Sequence, residues 1–494
     1  MNQISRFWLD AKYALGKRTV IIFAALVIVR LISLALYPLM DMTEGRYGEI
    51  ARKMAEMNDW ITPWYEAGIP FWGKPPLSFW MSAIGVKLFG VNEFAVRFPH
   101  FLAALLVIAI AYDWAKKCLI NPFYVTILLS TSFIFLVSSG AVMTDMALCV
   151  GSTLALRAFW LCLRGEETAR KREQFLFFIG LSIMLLAKGP VGWVLVFLPI
   201  GVWALFSKSI KETWQGINWI IGCLVAILAV MPWYLLAEQH TPGFLHYFFV
   251  GEHWQRFTVS GWKGDLYGTA HATRRGTIWL QFIYATLPWS LILAASAWIY
   301  KKQVAVKKSA QQLSKQNQLS LYLLLATISP CLFFTMSGNI LWTYILPGVP
   351  AFALLLALYL DGLGQIIAKK ILLIGTAFSA LVFVGVLSTL TIGHAADLKS
   401  AKSITQLYEA QYVENKNITP LIFLAERPYS AMFYSHGKAL KMGSLEEISL
   451  YAKANPTYIA IKKNQLAGLN EQLKNLKAVG DSGNYRLFLM LNRI

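Results

Sequence analysis

Long apolar segments recur through most of this sequence and constrain its fold more than any other feature. A helix that crosses a bilayer needs about 20 mostly apolar residues. Such segments lie near residues 19–39, 98–115, 121–140, 146–163, 174–188, 191–207, 216–236, 277–299, 319–337, 343–360 and 371–392. The sequence therefore predicts an α-helical polytopic membrane protein with about 11 to 13 transmembrane helices.

The charges are few and lie mainly between these segments. Charged residues make up 14% of the chain, whereas a soluble domain carries about 25%. The formal net charge is +19, but the basic residues form short clusters beside the apolar segments. This pattern signals membrane topology and argues against a nucleic-acid-binding face. The five cysteines show no CxxC spacing that would indicate a metal site.

The positive-inside rule orients the chain. The segment 77–90 has about 14 residues and is short for a span, so we expect an interfacial or re-entrant helix there. The basic clusters between later spans then fall on the cytoplasmic side, together with the N-terminus. The loops 40–97 and 237–276 and the region 394–494 fall on the periplasmic side.

The tail differs in pattern from the rest of the chain. From about residue 418, short β-type runs alternate with helical runs, which predicts a small α/β domain. We therefore divide the chain into a transmembrane catalytic domain, 1–393, and a periplasmic α/β domain, 394–494.

The first periplasmic loop contains a predicted amphipathic helix, Glu44–Met57. Its apolar face consists of Tyr47, Ile50, Ala51 and Met54. Its opposite face carries the charged pairs Glu49–Lys53 and Arg52–Glu56. This helix would hold Asp41, Glu44 and Arg46 at the mouth of the bundle.

Carboxylates and one lysine of this loop are candidates for chemistry. Asp41 and Glu44 suit a general base or a ligand of a substrate hydroxyl group, although acidic residues are also common where they only stabilise a helix N-terminus. Lys74 lies in GKPPL, where two prolines stiffen the backbone. It could bind a lipid phosphate, or it could be a lysine that extends to the interface.

Two short turns on the same side supply further candidates. Asp145, in MTDMAL, is a catalytic candidate or an N-cap of the following helix. Lys188, in AKGP, has the same two interpretations as Lys74.

The second periplasmic loop contains GEHWQRF, with Glu252, His253 and Arg256. These residues could bind a phosphate or a metal, but an isolated histidine is more often a hydrogen-bonded surface residue. HExxH and Walker motifs do not occur in the sequence, which argues against a zinc protease or a nucleotide-driven pump.

Taken together, these motifs resemble the lipid-linked-sugar glycosyltransferases of the aminoarabinose transferase (ArnT) family, and more distantly the protein O-mannosyltransferases. The motifs that carry the resemblance occur in the family's order, from about residue 38 to 360: TEGRYGEIARKM, NDWITP, GKPPLSFW, LFGVNEFAVRFP, MTDMAL, AKGP, GEHWQRF and TYILPGVPAFALLLA. The resemblance implies a GT-C fold, an undecaprenyl-phosphate-linked sugar donor and transfer at the periplasmic face.

The resemblance also suggests roles for individual residues. Asp41 or Glu44, and Asp145, lie where the family's catalytic carboxylates lie, and Lys74 matches the lysine of its KPP motif. His253 matches the histidine of its EH loop. The residues assigned to substrate binding are Arg46, Tyr47, Lys188, Glu252, His253, Arg256 and Tyr344.

Three positions depart from the family pattern. Thr43 replaces an acidic residue before Glu44, and Gly73 stands where the family usually has glutamate before KPP. The lysine that precedes TYILP in the family is missing, with Asn339 nearby. We therefore predict no definite cofactor and leave open a divalent metal, with His253 as its candidate ligand.

The predicted function is an inverting glycosyl transfer in the bacterial inner membrane. The donor would be an undecaprenyl-phosphate-linked aminoarabinose or hexose, and the acceptor lipid A or another envelope molecule. A transporter or flippase for a lipid-linked sugar is the alternative. Such transporters usually place ionisable residues at the membrane midplane, whereas here these residues gather at one face. A non-catalytic scaffold is a third interpretation, and it gains little support from the charged first loop.

Overall fold

The computed structural model describes residues 3–268, 271–293, 310–415, 420–452, 456–474 and 476–490. Within these ranges, seven helices are long and apolar enough to cross a membrane. They are Lys17–Leu36, Glu93–Lys117, Asp145–Arg164, Trp219–His240, Asn317–Phe334, Trp342–Gly362 and Gln365–Thr391. The chain is thus a mostly helical, multi-pass membrane protein, as the sequence predicts.

Further helices occur between residues 3 and 285. They are Gln3–Leu15, Thr43–Met57, Leu77–Phe89, Pro122–Ser130, Phe133–Ser138, Arg170–Lys188, Val191–Phe206, Ile210–Gly216, Phe244–His246, the π-helix Tyr247–Gln255, Arg256–Thr258 and Thr277–Ala285. The helix Leu77–Phe89 has 13 residues, consistent with its prediction as a short element.

One predicted span has a different form in the structure. The segment 121–140 consists of two short helices, because the chain leaves helical geometry at Thr131 and Ser132. Both hydroxyl groups bond to carbonyl groups four residues earlier, a bond that competes with the backbone ladder. Part of the predicted span 277–299 lies outside the described residues. The total of about 11 to 13 spans therefore stays a prediction.

The chain divides into two compact units. The first consists of residues 1–31, 60–81 and 98–383, and the second of residues 32–59, 82–97 and 384–494. The division between transmembrane and periplasmic domains at residue 393 stays a prediction.

In the first unit, the helices Asp145–Arg164 and Arg170–Lys188 pack closely at two glycines. A Cβ atom on Gly151 would lie 2.7 Å from the carbonyl oxygen of Gly180, and the reverse distance is also 2.7 Å. Small residues commonly permit such backbone approach in membrane helices. The close packing fixes Asp145 and Lys188, at the paired ends of these two helices.

The second unit contains a five-stranded mixed sheet. Its strands in spatial order are Leu440–Met442, Ile422–Leu424, Thr457–Lys462, Tyr485–Met490 and Lys477–Ser482. The first two pairings are parallel and the last two antiparallel. The remaining helices of this region are Lys402–Asn415, Tyr429–Tyr434, Leu445–Tyr451 and Asn470–Leu473. The predicted alternation of strands and helices is confirmed.

The helix Thr43–Met57 belongs to the same unit and is buried on more than one face. The predicted apolar face is buried. Glu49 and Arg52, on the opposite and charged face, are buried too, and Arg52 Nε lies 2.6 Å from Glu49 Oε2. The burial of the charged face is possible because the two residues neutralise each other and satisfy each other's hydrogen bonds.

Candidate functional site

Lys74, Glu252 and Arg256 form one cluster in the first unit. Lys74 Nζ lies 2.7 Å from Glu252 Oε2, and Arg256 Nη1 lies 3.0 Å from Glu252 Oε1. Arg256 Nη1 also lies 3.1 Å from Asp265 Oδ2. The side chain of Glu252 is 3% exposed. A buried carboxylate is thus held between two cations that the sequence places in separate loops.

Local backbone geometry positions this cluster. Lys74 lies immediately before Pro75 and Pro76, whose rings fix the φ angle, and its Nζ also donates to the carbonyl oxygen of Gly73 at 2.5 Å. Glu252 lies within the π-helix Tyr247–Gln255. Turns of π-helix are rare in proteins, and those that occur often lie at functional sites.

The two cations keep Glu252 ionised. Burial alone would raise the pKa of this carboxyl group, but the charges of Lys74 and Arg256 outweigh it and hold the pKa below its ordinary value. The charge balance of the cluster is near neutral, with Lys74 and Arg256 facing Glu252 and Asp265. Because Glu252 already holds the N–H donors of Lys74 and Arg256 in place, an anion that displaces Glu252 would meet donors that are already oriented.

Asp145, Lys188 and Tyr344 form a second cluster in the same unit. Lys188 Nζ lies 2.7 Å from Asp145 Oδ1 and 4.2 Å from the centre of the Tyr344 ring. Both charged residues are buried. The ammonium group thus combines an ion pair with a cation–π contact.

His253 connects the two clusters. Its Nδ1 lies 2.8 Å from the carbonyl oxygen of Phe248, and its Nε2 lies 3.1 Å from the carbonyl oxygen of Lys188. Burial lowers the pKa of this imidazole. The histidine that follows Glu252 in the chain therefore contacts the backbone of the lysine that binds Asp145.

The surroundings of His253 test whether it could bind a metal ion. Within the part of the chain that the structure describes, no group of three or more His, Cys, Asp or Glu side chains is placed to hold a metal ion. At position 73, a Cβ atom would lie 2.8 Å from Phe71 Cζ, so a side chain there would require the Phe71 ring to shift. The ring nitrogens of His253 face backbone carbonyl groups instead.

Asn339 is a site residue whose role the sequence did not reveal. Its Nδ2 donates to the carbonyl oxygens of Arg256 and Val259 at 2.6 and 2.7 Å, and its Oδ1 accepts from the amide of Gly261 at 3.0 Å. Asn339 thereby fixes the loop that follows Glu252. The sequence did mark this position, because Asn339 lies near the lysine that is missing from the family pattern. Its hydrogen-bond partners, however, are about 80 residues away in the chain, and no local pattern indicates them.

Asp41 and Glu44 lie in the second unit, each with partners of its own. The Asp41 carboxylate accepts from the amide of Ser430 at 3.0 Å and from its hydroxyl group. Burial raises the pKa of Asp41 to about 6, and the Ser430 bonds oppose that rise. Glu44 Oε2 lies 2.8 Å from Nη2 of the buried Arg97. Both carboxylates thus have structural contacts.

Arg46 and Tyr47 also lie in the second unit. The Arg46 guanidinium lies 5.4 Å from the centre of the Tyr47 ring and 5.6 Å from that of Tyr429, distances at which a cation and an aromatic face attract. The structure thus groups the predicted residues in three sets: Lys74, Glu252 and Arg256; Asp145, Lys188, His253 and Tyr344; and Asp41, Glu44, Arg46 and Tyr47.

Comparisons with known proteins agree on one class. The family model described as dolichyl-phosphate-mannose-protein mannosyltransferase matches residues 16–248. The undecaprenyl phosphate-alpha-4-amino-4-deoxy-L-arabinose arabinosyl transferase 1 of Sodalis glossinidius is 30% identical over 325 residues, 64% of this chain and 54% of that protein. The enzyme of the same name from Pseudomonas fluorescens is 32% identical over 336 residues, 66% of this chain and 56% of that protein. The match thus spans just over half the length of these curated relatives.

The fold has a solved counterpart. The crystal structure of ArnT from Cupriavidus metallidurans bound to undecaprenyl phosphate superposes with a TM-score of 0.72 at 20% sequence identity. The superposition covers 95% of this chain and 97% of that one. The apo structure of the same protein superposes with a TM-score of 0.71.

Proposed function

We propose that this chain, a relative of the aminoarabinose transferases in sequence and of ArnT in its GT-C fold, is an integral-membrane glycosyltransferase. It would move a sugar from undecaprenyl phosphate to lipid A or another envelope acceptor. The names of its relatives favour an amino sugar, 4-amino-4-deoxy-L-arabinose, with a hexose as the other candidate.

The observation that carries this proposal is the cluster of Lys74, Glu252 and Arg256. A glycosyl transfer from a polyprenyl phosphate already has a good leaving group, so the protein has to position the reactants and stabilise the departing charge. Two cations held within 3.0 Å of one buried carboxylate provide oriented donors for a phosphate. The arginine also has the planar set of donors that suits a phosphate.

In the proposed mechanism, the donor phosphate competes with Glu252 for Lys74 and Arg256. As the bond from the sugar to the phosphate breaks, negative charge grows on the phosphate oxygens, and both cations stabilise it. The pairing of Lys74 with Glu252 keeps the lysine charged and in place before the donor arrives. Arg46 is proposed as a further phosphate contact and Tyr47 as a substrate contact.

The carboxylates have the second role. Asp41, Glu44 or Asp145 would orient or deprotonate the acceptor, so that it attacks the face of the sugar opposite the phosphate and inverts the anomeric centre. If the acceptor is itself a phosphate, no base is needed, and these carboxylates would bind sugar hydroxyl or amino groups. Lys188 and Tyr344 support Asp145, and His253 supports Lys188.

The proposed setting is the bacterial inner membrane. The N-terminus would be cytoplasmic, and the site and the region 394–494 periplasmic, as the basic clusters indicate. No cofactor is part of the proposed mechanism.

Mass spectrometry of lipid A and other envelope glycans, from cells with and without the gene, tests this proposal. Loss of one pentosamine or hexose mass from lipid A in the deletion strain is the expected result, and it would identify both sugar and acceptor class. If lipid A is unchanged and another glycan loses the sugar, that glycan is the acceptor. Loss of the sugar combined with undecaprenyl-phosphate sugar that accumulates in the cytoplasmic leaflet would overturn the enzyme in favour of the flippase, because loss of the transferase leaves the donor in the periplasmic leaflet.

A further inference from the structure

A cavity of about 940 Å³ lies in the first unit, away from the clusters described above. It opens where several helices end or begin: Lys117 ends one helix, Arg164 ends another, Arg172 lies in the first turn of a third, and Asp361 lies near the end of a fourth. Basic residues at these helix ends predict the cytoplasmic side of the membrane. The cavity would therefore face the leaflet opposite the proposed transfer site.

Half of the charged residues that line the cavity, Arg164, Arg172 and Glu173, take part in ion pairs. Glu173 accepts from Arg157 at 2.6 Å and from Arg172 at 2.7 Å. Arg164 donates to Glu212 at 2.6 Å and to Gln318 at 3.0 Å. These pairs hold the rim together.

Charged side chains of both signs at the cavity can form further ion pairs or hydrogen bonds. Among the described residues, Lys117 and Glu166 line the cavity and take part in no ion pair. Asp361 Oδ2 accepts from the amide of Asn121 at 3.1 Å, and its other oxygen can accept more. Arg172 uses one nitrogen on Glu173 and keeps further N–H donors. The rim thus offers donors for a phosphate and acceptors for an ammonium group.

The lining also has a large apolar part, which includes Leu119, Trp160, Leu161, Leu319 and Leu358. Binding pockets for small molecules measure about 300–1,000 Å³, so this cavity lies at the upper end of that range. It is large enough for a lipid headgroup together with the first part of its acyl chains. A charged rim beside a leucine-lined wall suits an amphiphile better than a fully polar metabolite.

We propose that this cavity binds a phospholipid with a zwitterionic headgroup that ends in a primary ammonium, such as phosphatidylethanolamine. Lys117 and Arg172 contact the phosphate, Glu166 and Asp361 contact the ammonium, and the leucines contact the acyl chains. An anionic headgroup would leave the two carboxylates facing a like charge. A quaternary headgroup has no N–H to donate to them.

Photocrosslinking with the full-length protein tests this site. The protein is placed in nanodiscs of phosphatidylcholine that contain a trace of photoactivatable phosphatidylethanolamine, and the crosslinked peptides are mapped by mass spectrometry. We expect labelling in the segments 117–119 and 160–166. Unlabelled phosphatidylethanolamine should displace the probe, whereas phosphatidylglycerol and soluble phosphoethanolamine should not.

Two double variants give a matched comparison. Lys117→Gln/Glu166→Gln removes one charge of each sign from the cavity and should weaken labelling about tenfold. Lys116→Gln/Glu167→Gln makes the same change one residue outside the lining and should label as the wild type does. Melting temperature and size-exclusion profile report whether each variant is folded, and the wild-type displacement series decides the question if the first variant does not fold.

Three results would overturn the proposal. Equal displacement by phosphatidylglycerol would mean that the rim does not select a zwitterion. Displacement by soluble phosphoethanolamine as effective as by the lipid would replace the lipid with a soluble ligand. Labelling spread evenly over the membrane helices would mean that the cavity holds no specific lipid.

Discussion

The ammonium group of Lys188 lies 2.7 Å from Oδ1 of Asp145, and both residues are buried. Lys188 ends one helix and Asp145 begins the one before it, so the pair joins the two ends at the candidate site. A buried ion pair is strongly destabilising to break, because the remaining charge has no partner.

Breaking this pair should therefore destabilise the protein. Asp145→Asn and Lys188→Met should each cost about 3–5 kcal/mol, measured as unfolding of the protein in detergent or bicelles. The double variant should be less destabilised than the sum of the two single variants, because it leaves neither charge alone. Strict additivity in this cycle would contradict the pairing.

Lys74→Ala should strongly reduce transfer while the protein stays folded. Removal of one donor that stabilises developing charge lowers turnover by about 10²–10³-fold. The measurement is transfer from undecaprenyl-phosphate sugar in vitro, with the melting temperature as the test of folding. Lys263→Ala, at an exposed position of the loop 237–276, is the control. Wild-type turnover by Lys74→Ala would remove Lys74 from the mechanism.

Gly189→Ala should be strongly destabilising. Gly189 has φ 82° and ψ −157°, a region of backbone space that only glycine adopts readily. Its Cβ would also lie 2.6 Å from Phe248 Cζ and 3.0 Å from His253 Cε1. We expect a loss of about 2–5 kcal/mol in the free energy of unfolding.

A second glycine provides the control for this substitution. Gly201 lies within the helix Val191–Phe206, and a Cβ atom added to it would meet no neighbouring atom within 4 Å. Gly201→Ala should leave stability unchanged or raise it by about 0.5–1 kcal/mol, because alanine favours the helix. Similar losses from both substitutions would contradict the specific role of Gly189.

Asn339→Ala should loosen the loop 256–261. Three backbone groups lose their partner, and each one left unsatisfied costs about 1–3 kcal/mol. Hydrogen–deuterium exchange should become faster at Gly261, whose amide donates to Asn339 Oδ1 at 3.0 Å. The strand Thr457–Lys462 serves as the internal reference and should exchange as in the wild type. Unchanged exchange at Gly261 would show that other contacts hold the loop.

Stability in the second unit should depend on pH through Asp41. Its pKa rises from 3.8 to about 6 on folding, so the folded state binds the proton more tightly than the unfolded state. The stabilising contribution is complete below about pH 3.8 and is lost as the pH rises through about 6. Asp41→Asn should flatten the pH dependence of the protection against amide hydrogen exchange in the helix Tyr429–Tyr434. Glu446→Gln, at an exposed carboxylate, should leave it as it is in the wild type.

Local patterns in the sequence determined the membrane class and much of the α/β tail. Apolar segments of sufficient length have one stable environment, a lipid bilayer, and alternating β-type and helical runs predicted the strands at 422–424, 457–462 and 485–490. The helix Thr43–Met57 was likewise predicted from its periodicity. Its burial on the charged side was not, because periodicity identifies a polar face without showing what covers it.

The tertiary structure decided which charges meet. Lys74 and Glu252 are 178 residues apart in the chain, and each motif alone allowed a surface lysine and an isolated acid. The contacts of His253 with two carbonyl groups, and those of Asn339 with the loop after Glu252, depend in the same way on helix ends that packing brings together. Sequence patterns report the preferences of neighbouring residues, whereas an ion pair depends on the distance between two side chains, which the packed fold alone sets.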